Sequence, residues 1–412
     1  MRIIHTSDLH LGTTTYGIED PSTGVNRRVH DFFQAFDQVV GYAIEKKADA
    51  LILCGDTFKD ISPSSTLLKM FANRLHKLSS VEIRVVMLLG NHDSPKTVGR
   101  AAPPEVFDEL KLKGIHVFSK PDFIDIKSKD GVKARIFALP YRHPIHIAAK
   151  VEKATAAKVE LDRNALLAAF QAEIKRNFEI FTKVGRKGAK VGILAAHLFV
   201  EGARRGAERI YIVGEEFAVP PSMLQSDVFD YIALGHVHSH QVVPGKVPTI
   251  YAGSLEKIDF SEADEQKVFI DITYQDGQLA WKPIRVDTRP MVKLDVECTQ
   301  AKDATKLVAE KIEKAEVKDA IVRLVLKVKP ETHVDLDGIH NKLSSAFWHQ
   351  IIFDKITEEQ PIPTTVTWES LNPHEALARY LKTVKLSDED RELVGKLGDE
   401  IVDEALSEAE KA

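Results

Sequence analysis

Residues 1–12 read MRIIHTSDLHLG. The apolar run at 2–6 has the length and β-branched content of a buried strand, and Asp8 and His10 follow it directly. Polar side chains at a strand end of an α/β sheet project into the crevice at the carboxyl edge of the sheet. This stretch therefore predicts the first strand of such a sheet and the first residues of a polar site.

The pattern of the opening stretch recurs through the first half of the chain. Apolar runs begin at Ala50, Ile83, Val191 and Tyr231, and segments of helical periodicity separate the early ones. This alternation predicts a βαβαβ start and an α/β fold. The predicted helices of this half span 28–46, 65–78 and 163–182, and shorter strands start near residues 115, 123, 134, 267 and 279.

The pattern changes near residues 287–290, where TRP precedes a new alternation of strands and helices. We expect a first domain at 1–287 and a small α+β domain at 288–358 with a βαββαβ-like order. EEQPIPTTVTW (358–368) then predicts a linker, because its prolines interrupt regular structure. Residues 359–412 hold this linker and two helices with apolar faces.

Composition is typical of a globular protein. The chain has 412 residues, of which 44% are hydrophobic and 28% charged, which suits two or three domains. Cys54 and Cys298 form no CxxC pair, which excludes a disulfide framework and favours a reducing, cytoplasmic location. No apolar stretch of signal-peptide or membrane-spanning length occurs, so we expect neither secretion nor membrane insertion. The formal net charge is −5. Binding to nucleic acid would therefore need local basic clusters.

Five short motifs follow apolar runs. Each motif alone is weak, since a GD pair is most often only a turn. Together they would place six of their histidine and carboxylate side chains and one asparagine in a single crevice, where desolvation and repulsion need an ion to offset them. Carboxylate, imidazole and amide oxygen suit manganese, iron or zinc, so the set predicts a metal centre. The motifs are DLH (8–10), GD (55–56), GNHD (90–93), His197 and GHVH (235–238).

These motifs resemble the signature of the calcineurin-like metallophosphoesterases, which reads DxH, GD, GNH, H and GHxH. Within that family the chain is similar to the SbcD-type nuclease subunits of the bacterial SbcC–SbcD complex and to their archaeal and eukaryotic counterparts in DNA double-strand-break repair. The resemblance implies a two-sheet sandwich flanked by helices, a capping domain and C-terminal helices. It is carried by IIHTSDLHLG (3–12), GDTF (55–58), LLGNHDSP (88–95), ALGHVHSHQ (233–241) and YAGSLEKIDFSE (251–262).

The resemblance also implies residue roles. His92 would protonate the leaving oxygen or stabilise the transition state, and Asp93 would orient it. Asp93 has an equally good alternative as a turn cap before Ser94 and Pro95. Two divalent ions, with Mn²⁺ the expected metal, would clamp the phosphate. The implied ligands are Asp8, His10 and His238 for one ion, Asn91, His197 and His236 for the other, and Asp56 between them.

Basic residues near the motifs are candidate DNA contacts. Lys59 follows GDTF at a position where some relatives carry a histidine that bears on exonuclease activity. A lysine can contact phosphate but cannot accept a proton while charged, so an exonuclease preference does not transfer directly. The other candidates, Arg186, Lys187, Arg204 and Arg205, belong to two basic clusters, and each cluster has a solvated loop as its alternative.

Three functions fit these observations. The first is a metal-dependent DNA exonuclease and endonuclease that processes double-strand ends with an SbcC-type coiled-coil ATPase on its C-terminal helices. The second is a small-substrate phosphodiesterase; protein phosphatases are disfavoured because they carry GDxxDRG and GNHE. The third is a DNA-tethering scaffold for the ATPase. We expect the first function. We also expect a homodimer that pairs near helix 65–78 and a helix that begins at Glu105.

Overall fold

The computed structural model describes residues 1–95, 97, 99–143, 146–147, 163–204, 206, 217–355, 373–384 and 387–409. The chain divides into two compact units, Met1–Asp354 and Lys355–Ala412. The predicted linker at 358–368 lies outside the described residues, as does Arg205. Within the described ranges, no helix is both long enough and apolar enough to cross a membrane.

Strands and helices alternate much as the apolar patterning predicts. The helices expected at 28–46, 65–78 and 163–182 begin and end close to the expected residues. The strands are β1 (Arg2–Thr6), β2 (Ala50–Cys54), β3 (Arg84–Leu88), β4 (Ile115–Phe118), β5 (Asp122–Lys127), β6 (Lys133–Leu139), β7 (Val191–His197), β8 (Phe199–Val200), β9 (Ala218–Val219), β10 (Tyr231–Gly235), β11 (Gln241–Val243), β12 (Thr249–Tyr251), β13 (Val268–Gln275), β14 (Gln278–Arg285), β15 (Met291–Glu297), β16 (Ile321–Val328) and β17 (Trp348–Lys355). The helices are α1 (Arg27–Glu45), α2 (Ser65–Ser80), α3 (Glu105–Glu109), α4 (Arg163–Val184), α5 (Pro221–Leu224), α6 (Ala304–Glu313), α7 (Leu336–Lys342), α8 (Pro373–Thr383) and α9 (Asp388–Ala409).

Two six-stranded sheets form the centre of the first unit. One has the order β14-β13-β1-β2-β3-β4, and its strands β1 to β4 are parallel. The other has the order β11-β12-β10-β7-β6-β5, and its strands β12, β10, β7 and β6 are parallel. Both sheets therefore bring several carboxyl strand ends to one edge.

The strand β2 shows why the sheets stack. Leu51 and Leu53 pack in the core that α1 and α2 cover, whereas Ala50, Ile52 and Cys54 pack in the core between the two sheets. Because both faces of β2 are buried, the strand is apolar throughout and does not alternate with polar residues. A third core lies on the outer side of the second sheet against α4. The result is the helix-flanked two-sheet sandwich.

Residues 288–354, here called the capping region, have a separate apolar core. Their three-stranded sheet has the order β15-β16-β17, with α6 and α7 in the connections. The five elements expected here, strand, helix, strand, helix and strand, are confirmed, and the sheet has one strand fewer than the βαββαβ unit to which the sequence was compared. The capping region belongs to the same compact unit as the two large sheets, so the domain division at residue 287 stays a prediction.

The helices α8 and α9 pack against each other within the second unit. A Cβ added to Gly398 would come within 2.6 Å of Leu377 Cδ2, so the glycine permits a close approach between the helices. Leu381 is buried as well. Tyr380, Leu393, Leu397 and Ile401 remain exposed, so the pairing does not cover the apolar surface of these helices.

Candidate metal centre

Four of the expected ligands have a left-handed backbone. The φ angles are 52° at Asp8, 42° at His10, 51° at Asp56 and 98° at His236. Non-glycine residues seldom adopt this region, and such conformations concentrate at functional sites. The turns after β1, β2 and β10 therefore accept backbone strain in order to aim side chains into the crevice.

Two motif glycines make room for these side chains. A Cβ on Gly90 would collide with the carboxylate and the backbone nitrogen of Asp56. A Cβ on Gly55, whose φ is 86°, would collide with the ring of His197. The glycines of the GD and GNHD motifs are thus required by close packing around two of the expected ligands.

Asp8, His10 and His238 form the first group of ligand atoms. One candidate atom from each lies within 4.8 Å of the others, and all three residues are buried. The two Nε2 atoms of His10 and His238 are 3.0 Å apart. The backbone nitrogen of His236 donates to Asp8 Oδ1 at 3.0 Å, which fixes the carboxylate against the GHVH turn.

Asn91, His197 and His236 form the second group. Asn91 Oδ1 lies 2.8 Å from His197 Nε2 and 2.8 Å from His236 Nδ1. The two ring nitrogens are 3.3 Å apart. An amide oxygen and two imidazole nitrogens therefore converge on one point, although they come from three different strand ends.

Asp56 lies between the two groups. Its Oδ2 is 3.7 Å from His10 Nε2 and 3.7 Å from His197 Nε2. Metal bonds of about 2.1 Å place neighbouring ligand atoms roughly 3 Å apart, so the second group and the His10–His238 pair have the spacing of a coordination shell. The mixed oxygen and nitrogen donors fit divalent manganese, iron or zinc. The residues present therefore fit the implied ions.

The electrostatics of the site agree with ligation. Burial lowers the pKa of His197 to about 4 and that of His10 well below its usual value, so both imidazoles are neutral and can bind a cation. Burial raises the pKa of Asp8 to about 7. Burial also acts to raise the pKa of Asp56, but the nearby His197 and His92 outweigh it and the pKa is lowered. The crevice thus holds carboxylates that a bound cation would stabilise.

Hydrogen bonds behind the ligands orient their rings. His197 Nδ1 lies 2.8 Å from the carbonyl oxygen of Cys54, and His238 Nδ1 lies 3.1 Å from Glu262 Oε1. Burial acts to raise the pKa of Glu262, but Lys267 and His238 outweigh it and lower the pKa to about 2. Sequence reasoning missed Glu262 and Lys267. The signal that could have found Glu262 is its position at the end of YAGSLEKIDFSE (251–262), one of the stretches that carry the family resemblance.

His92 is held beside both groups. Its backbone nitrogen donates to Asp56 Oδ1 at 2.8 Å, and its ring Nδ1 lies 3.0 Å from the carbonyl oxygen of Lys59. Its ring centroid is 4.8 Å from that of His10. His92 also lies within ligand distance of His10 and Asp56, so a role as a ligand and a role as an acid have to be separated by experiment.

Asp93 binds backbone and joins two loops. Its Oδ2 accepts hydrogen bonds from the backbone nitrogens of Thr57 and Gly90, both at 3.1 Å, and its Oδ1 accepts one from Phe58 at 3.1 Å. Asp93 is fully buried. These bonds agree with the capping alternative and extend it, because the carboxylate holds the GDTF loop against the GNHD loop.

The candidate DNA contacts at Arg186 and Lys187 lie away from the centre. They precede the amino end of β7, whereas His197 ends it, and seven residues span about 20 Å. The Arg186 guanidinium also donates to Asp230 Oδ1 at 2.8 Å and to the carbonyl oxygen of Val228 at 3.0 Å. The fold already uses these donors, which argues against a DNA contact by Arg186.

Lys59 and Arg204 lie at the carboxyl ends of the strands, as the expected metal ligands do. Burial lowers the pKa of Lys59, with Asp60 and Asp56 opposing the shift, so this ammonium lies near the carboxylate of Asp56. Arg204 is exposed, and its backbone pairs with Gln241 through bonds of 2.8 and 2.9 Å, shortly after the GHVH motif. Arg205 lies outside the described residues.

The comparisons with known proteins agree with this geometry. The family model of the calcineurin-like phosphoesterases matches residues 1–240, which include all the expected ligands. The chain belongs to the calcineurin-like phosphoesterase family. Members hydrolyse phosphoesters with divalent metals, so the expectation of a metal-dependent phosphoesterase is confirmed, and the individual ligands stay predictions.

Several known proteins are similar to this phosphoesterase. It is 28% identical over 298 residues to the D subunit of the nuclease SbcCD from Bacillus subtilis (strain 168), covering 71% of this chain and 72% of the relative. A dimetal phosphatase from Danio rerio matches with a TM-score of 0.40 and 11% identity, covering 69% of this chain and 96% of that one. The protein TT1561 of Thermus thermophilus matches with a TM-score of 0.35 and 12% identity, covering 68% and 98%. The resemblance to SbcD-type subunits is confirmed by the first of these.

Replacing His92 by serine separates the two roles left to this residue. If His92 transfers a proton, His92→Ser lowers phosphodiesterase activity by about 10²-fold or more and leaves the number of bound Mn²⁺ ions unchanged. Asp56→Asn is the control that should reduce metal binding, because it removes charge between the two groups. Calorimetric titration with Mn²⁺ measures both. A lower ion count in His92→Ser would show that His92 is a ligand.

Proposed function

We propose that this phosphoesterase is a metal-dependent DNA nuclease with exonuclease and endonuclease activity that processes DNA double-strand ends together with an ATPase. The observation that carries the proposal is the pair of ligand groups that share Asp56 Oδ2. A phosphodiester in DNA is a substrate that two adjacent cations can hold from both sides. The Bacillus subtilis relative, which bears the name of a nuclease subunit, supports the choice of DNA.

The residues of the site divide the work of hydrolysis. Asp8, His10 and His238 would hold one divalent ion, Asn91, His197 and His236 the other, and Asp56 both. When bound, the ions, for which we propose Mn²⁺, would supply positive charge for the phosphate and activate the attacking water. His92, oriented by the carbonyl oxygen of Lys59, would give a proton to the leaving oxygen. The Lys59 ammonium would bind a phosphate oxygen beside Asp56.

A small-substrate phosphodiesterase is the second candidate, because the same centre would cleave a small diester. A scaffold that only tethers DNA is the third. Arg204 favours DNA, since it places an exposed cation beside the GHVH motif where a second phosphate of a long substrate would lie. The cytoplasmic location expected from Cys54 and Cys298 stays a prediction; both cysteines are unpaired.

A substrate comparison tests the proposed function. With Mn²⁺, the purified chain should cut single-stranded DNA and bis-p-nitrophenyl phosphate, and Asp56→Asn should abolish both reactions. Cleavage of the small ester alone would support the phosphodiesterase. Failure to cleave either substrate, with DNA binding retained, would support the scaffold.

Alanine variants of Arg204 and Lys187 test where DNA binds on this protein. Arg204→Ala should weaken single-stranded DNA binding and reduce the slope of log affinity against log salt by roughly one phosphate contact, about 0.7 for single strands. Lys187→Ala should change neither, because it lies at the other end of β7. Fluorescence anisotropy at several salt concentrations measures both quantities. Equal effects of the two variants would contradict this placement of the DNA.

We also propose that α8 and α9 bind a coiled-coil ATPase. Leu393, Leu397 and Ile401 of α9 are 59%, 51% and 66% exposed, and Tyr380 of α8 is 58% exposed. Apolar residues at this spacing on a helix form a stripe of the kind that partner proteins bury. The acidic residues between them keep the uncovered hairpin in solution.

Truncation after residue 365 should leave DNA cutting and the melting temperature largely unchanged and abolish co-purification with the ATPase. Leu397→Glu in the full chain should have the same effect on the complex, because it places a charge in the apolar stripe. Leu336→Glu, at an exposed leucine of α7, is the control and should leave the complex intact. A large fall in melting temperature with binding retained would show that the helices stabilise this chain instead.

We further propose a homodimer that uses α2 and α3. Phe71 and Leu75 of α2 are buried in the core of their own chain. They are therefore not available for the dimer interface, and the apolar surface of α2 that could pair is smaller than the sequence predicted. Val106 and Leu110, in and just after α3, are 44% and 61% exposed and supply apolar area for pairing. Light scattering at micromolar concentration should return twice the chain mass of 46.0 kDa, and Leu110→Glu should return a monomer. A wild-type monomer would contradict the dimer.

A further inference from the structure

Residues 253–262, here called the linking segment, contact both the metal centre and the capping region. At the carboxyl end of the segment Glu262 is fully buried, and its Oε1 lies 3.1 Å from His238 Nδ1. A carboxylate at Nδ1 keeps the proton on that nitrogen, so the lone pair of the neutral ring is on Nε2, which points toward His10. The position of Glu262 therefore sets the direction in which His238 presents its ligand atom.

Glu262 is itself fixed by several donors. Its Oε2 accepts hydrogen bonds from the Ile258 backbone nitrogen at 3.0 Å and from Lys267 Nζ at 2.8 Å. Lys267 Nζ also donates to the carbonyl oxygen of His238 at 3.2 Å. One buried ion pair thus holds both the ring and the backbone of His238. A shift of the linking segment would move this ligand, because Glu262, Lys267 and His238 are all buried and hydrogen-bonded to one another.

The capping region holds the linking segment through Phe260. Phe260 is buried against Met291, Ile321 and Phe347, all from the capping region. The guanidinium of Arg323, in β16, lies 4.0 Å from the centroid of the Phe260 ring. This stacking places a cation of the capping region only two residues away from the carboxylate that orients His238.

Arg323 also reaches the loop that carries His10. Its Nη2 donates to the hydroxyl of Tyr16 at 3.1 Å. The Tyr16 ring centroid lies 5.1 Å from that of Phe260 and 5.0 Å from that of Trp348. Arg323 therefore contacts both chain segments that lead to the first ligand group.

A buried charge network holds the beginning of the linking segment. Arg28 Nη2 lies 3.4 Å from Glu256 Oε1, and the Arg289 backbone nitrogen donates to Glu256 Oε2 at 3.4 Å. The Arg289 guanidinium pairs with Asp31 at 2.6 Å and lies 3.7 Å from the ring centroid of Phe347. The segment is consequently fixed to the capping region at two places, one on each side of Ile258.

We propose that the linking segment couples the capping region to the metal centre, with Arg323 as a positioning residue that acts through Phe260 and Glu262 on His238. The proposal rests on the proposed function in one respect, namely that His238 is a metal ligand. Loss of a partner behind a ligand typically lowers metal affinity by 10- to 100-fold. A change at Arg323 acts one step further away, so its effect should lie at the lower end of that range.

The test compares two arginines that stack on a phenylalanine. Arg323→Met removes the guanidinium over Phe260 while keeping the length of the side chain. Arg135→Met is the matched control, because Arg135 also stacks on a phenylalanine, Phe123, at 4.4 Å and pairs with Asp125. Within the described residues, Arg135 has no hydrogen bond or ion pair with the linking segment or with the loop that carries Tyr16. Glu262→Gln is the direct positive control. The measurement is calorimetric titration of the full chain with Mn²⁺, together with the melting temperature of the metal-free chain.

The wild type should bind two ions. In Arg323→Met, the affinity for one of them should fall about tenfold and the other should be unchanged, and Glu262→Gln should weaken the same ion at least as much. Arg135→Met should bind both ions as the wild type does. Tyr16→Phe, which removes only the hydroxyl and keeps the packing, should give a smaller loss at the same ion, and it carries the test if Arg323→Met does not fold.

Three results would overturn the coupling. Unchanged Mn²⁺ binding in both Arg323→Met and Tyr16→Phe, with a loss in Glu262→Gln, would leave Glu262 a positioning residue but free of the capping region. Equal losses in Arg323→Met and Arg135→Met would trace the effect to general destabilisation. A wild type that binds no pair of ions would contradict the proposed function as well, so the two failures can be told apart.

Discussion

The carboxylate of Asp56 is the constraint on which the rest of the site depends. Its Oδ2 faces a histidine of each ligand group at the same distance, and its Oδ1 accepts the backbone hydrogen of His92. To reach this position Asp56 adopts a positive φ and lies against the backbone of Gly90. The ends of three other strands, β1, β3 and β7, must therefore approach one carboxylate, and a fold that brings several strand ends to one edge satisfies that requirement.

The sandwich supplies this edge because the two sheets approach each other closely at the motif ends. A Cβ on Gly235 would collide with the carbonyl oxygen of Cys54, and the same carbonyl accepts from His197 Nδ1. Small residues at the crossing thus place β10 and β7 of one sheet beside β2 of the other. The buried polar groups gathered there lose hydration, and this cost is offset when they are hydrogen-bonded to one another or bind cations.

Basic residues outside the metal centre differ in whether they form structural contacts or remain exposed. Arg186 directs its donors to Asp230 and to backbone carbonyls, so this member of a basic cluster stabilises the fold. Arg289, which sequence reasoning did not single out, is drawn into a buried network with Asp31 and stacks on Phe347. Charge that stays exposed, as at Arg204, is what remains available for a polyanionic partner.

The sequence alone determined the order of the strands and helices of the first half, because apolar runs of strand length and segments of helical period differ in a way that needs no tertiary contact. It also predicted which residues gather at the centre, since Asp8, Asp56, Asn91, His197 and His236 all lie at or just after strand ends. It could not assign Glu262, Lys267 or Arg323, whose roles depend on contacts with residues distant in the chain. Nor could it separate Leu381, buried between α8 and α9, from the exposed Tyr380 beside it. Only the tertiary structure decided these, because a local pattern records whether a residue is apolar or charged, whereas its partner is set by how separate segments pack.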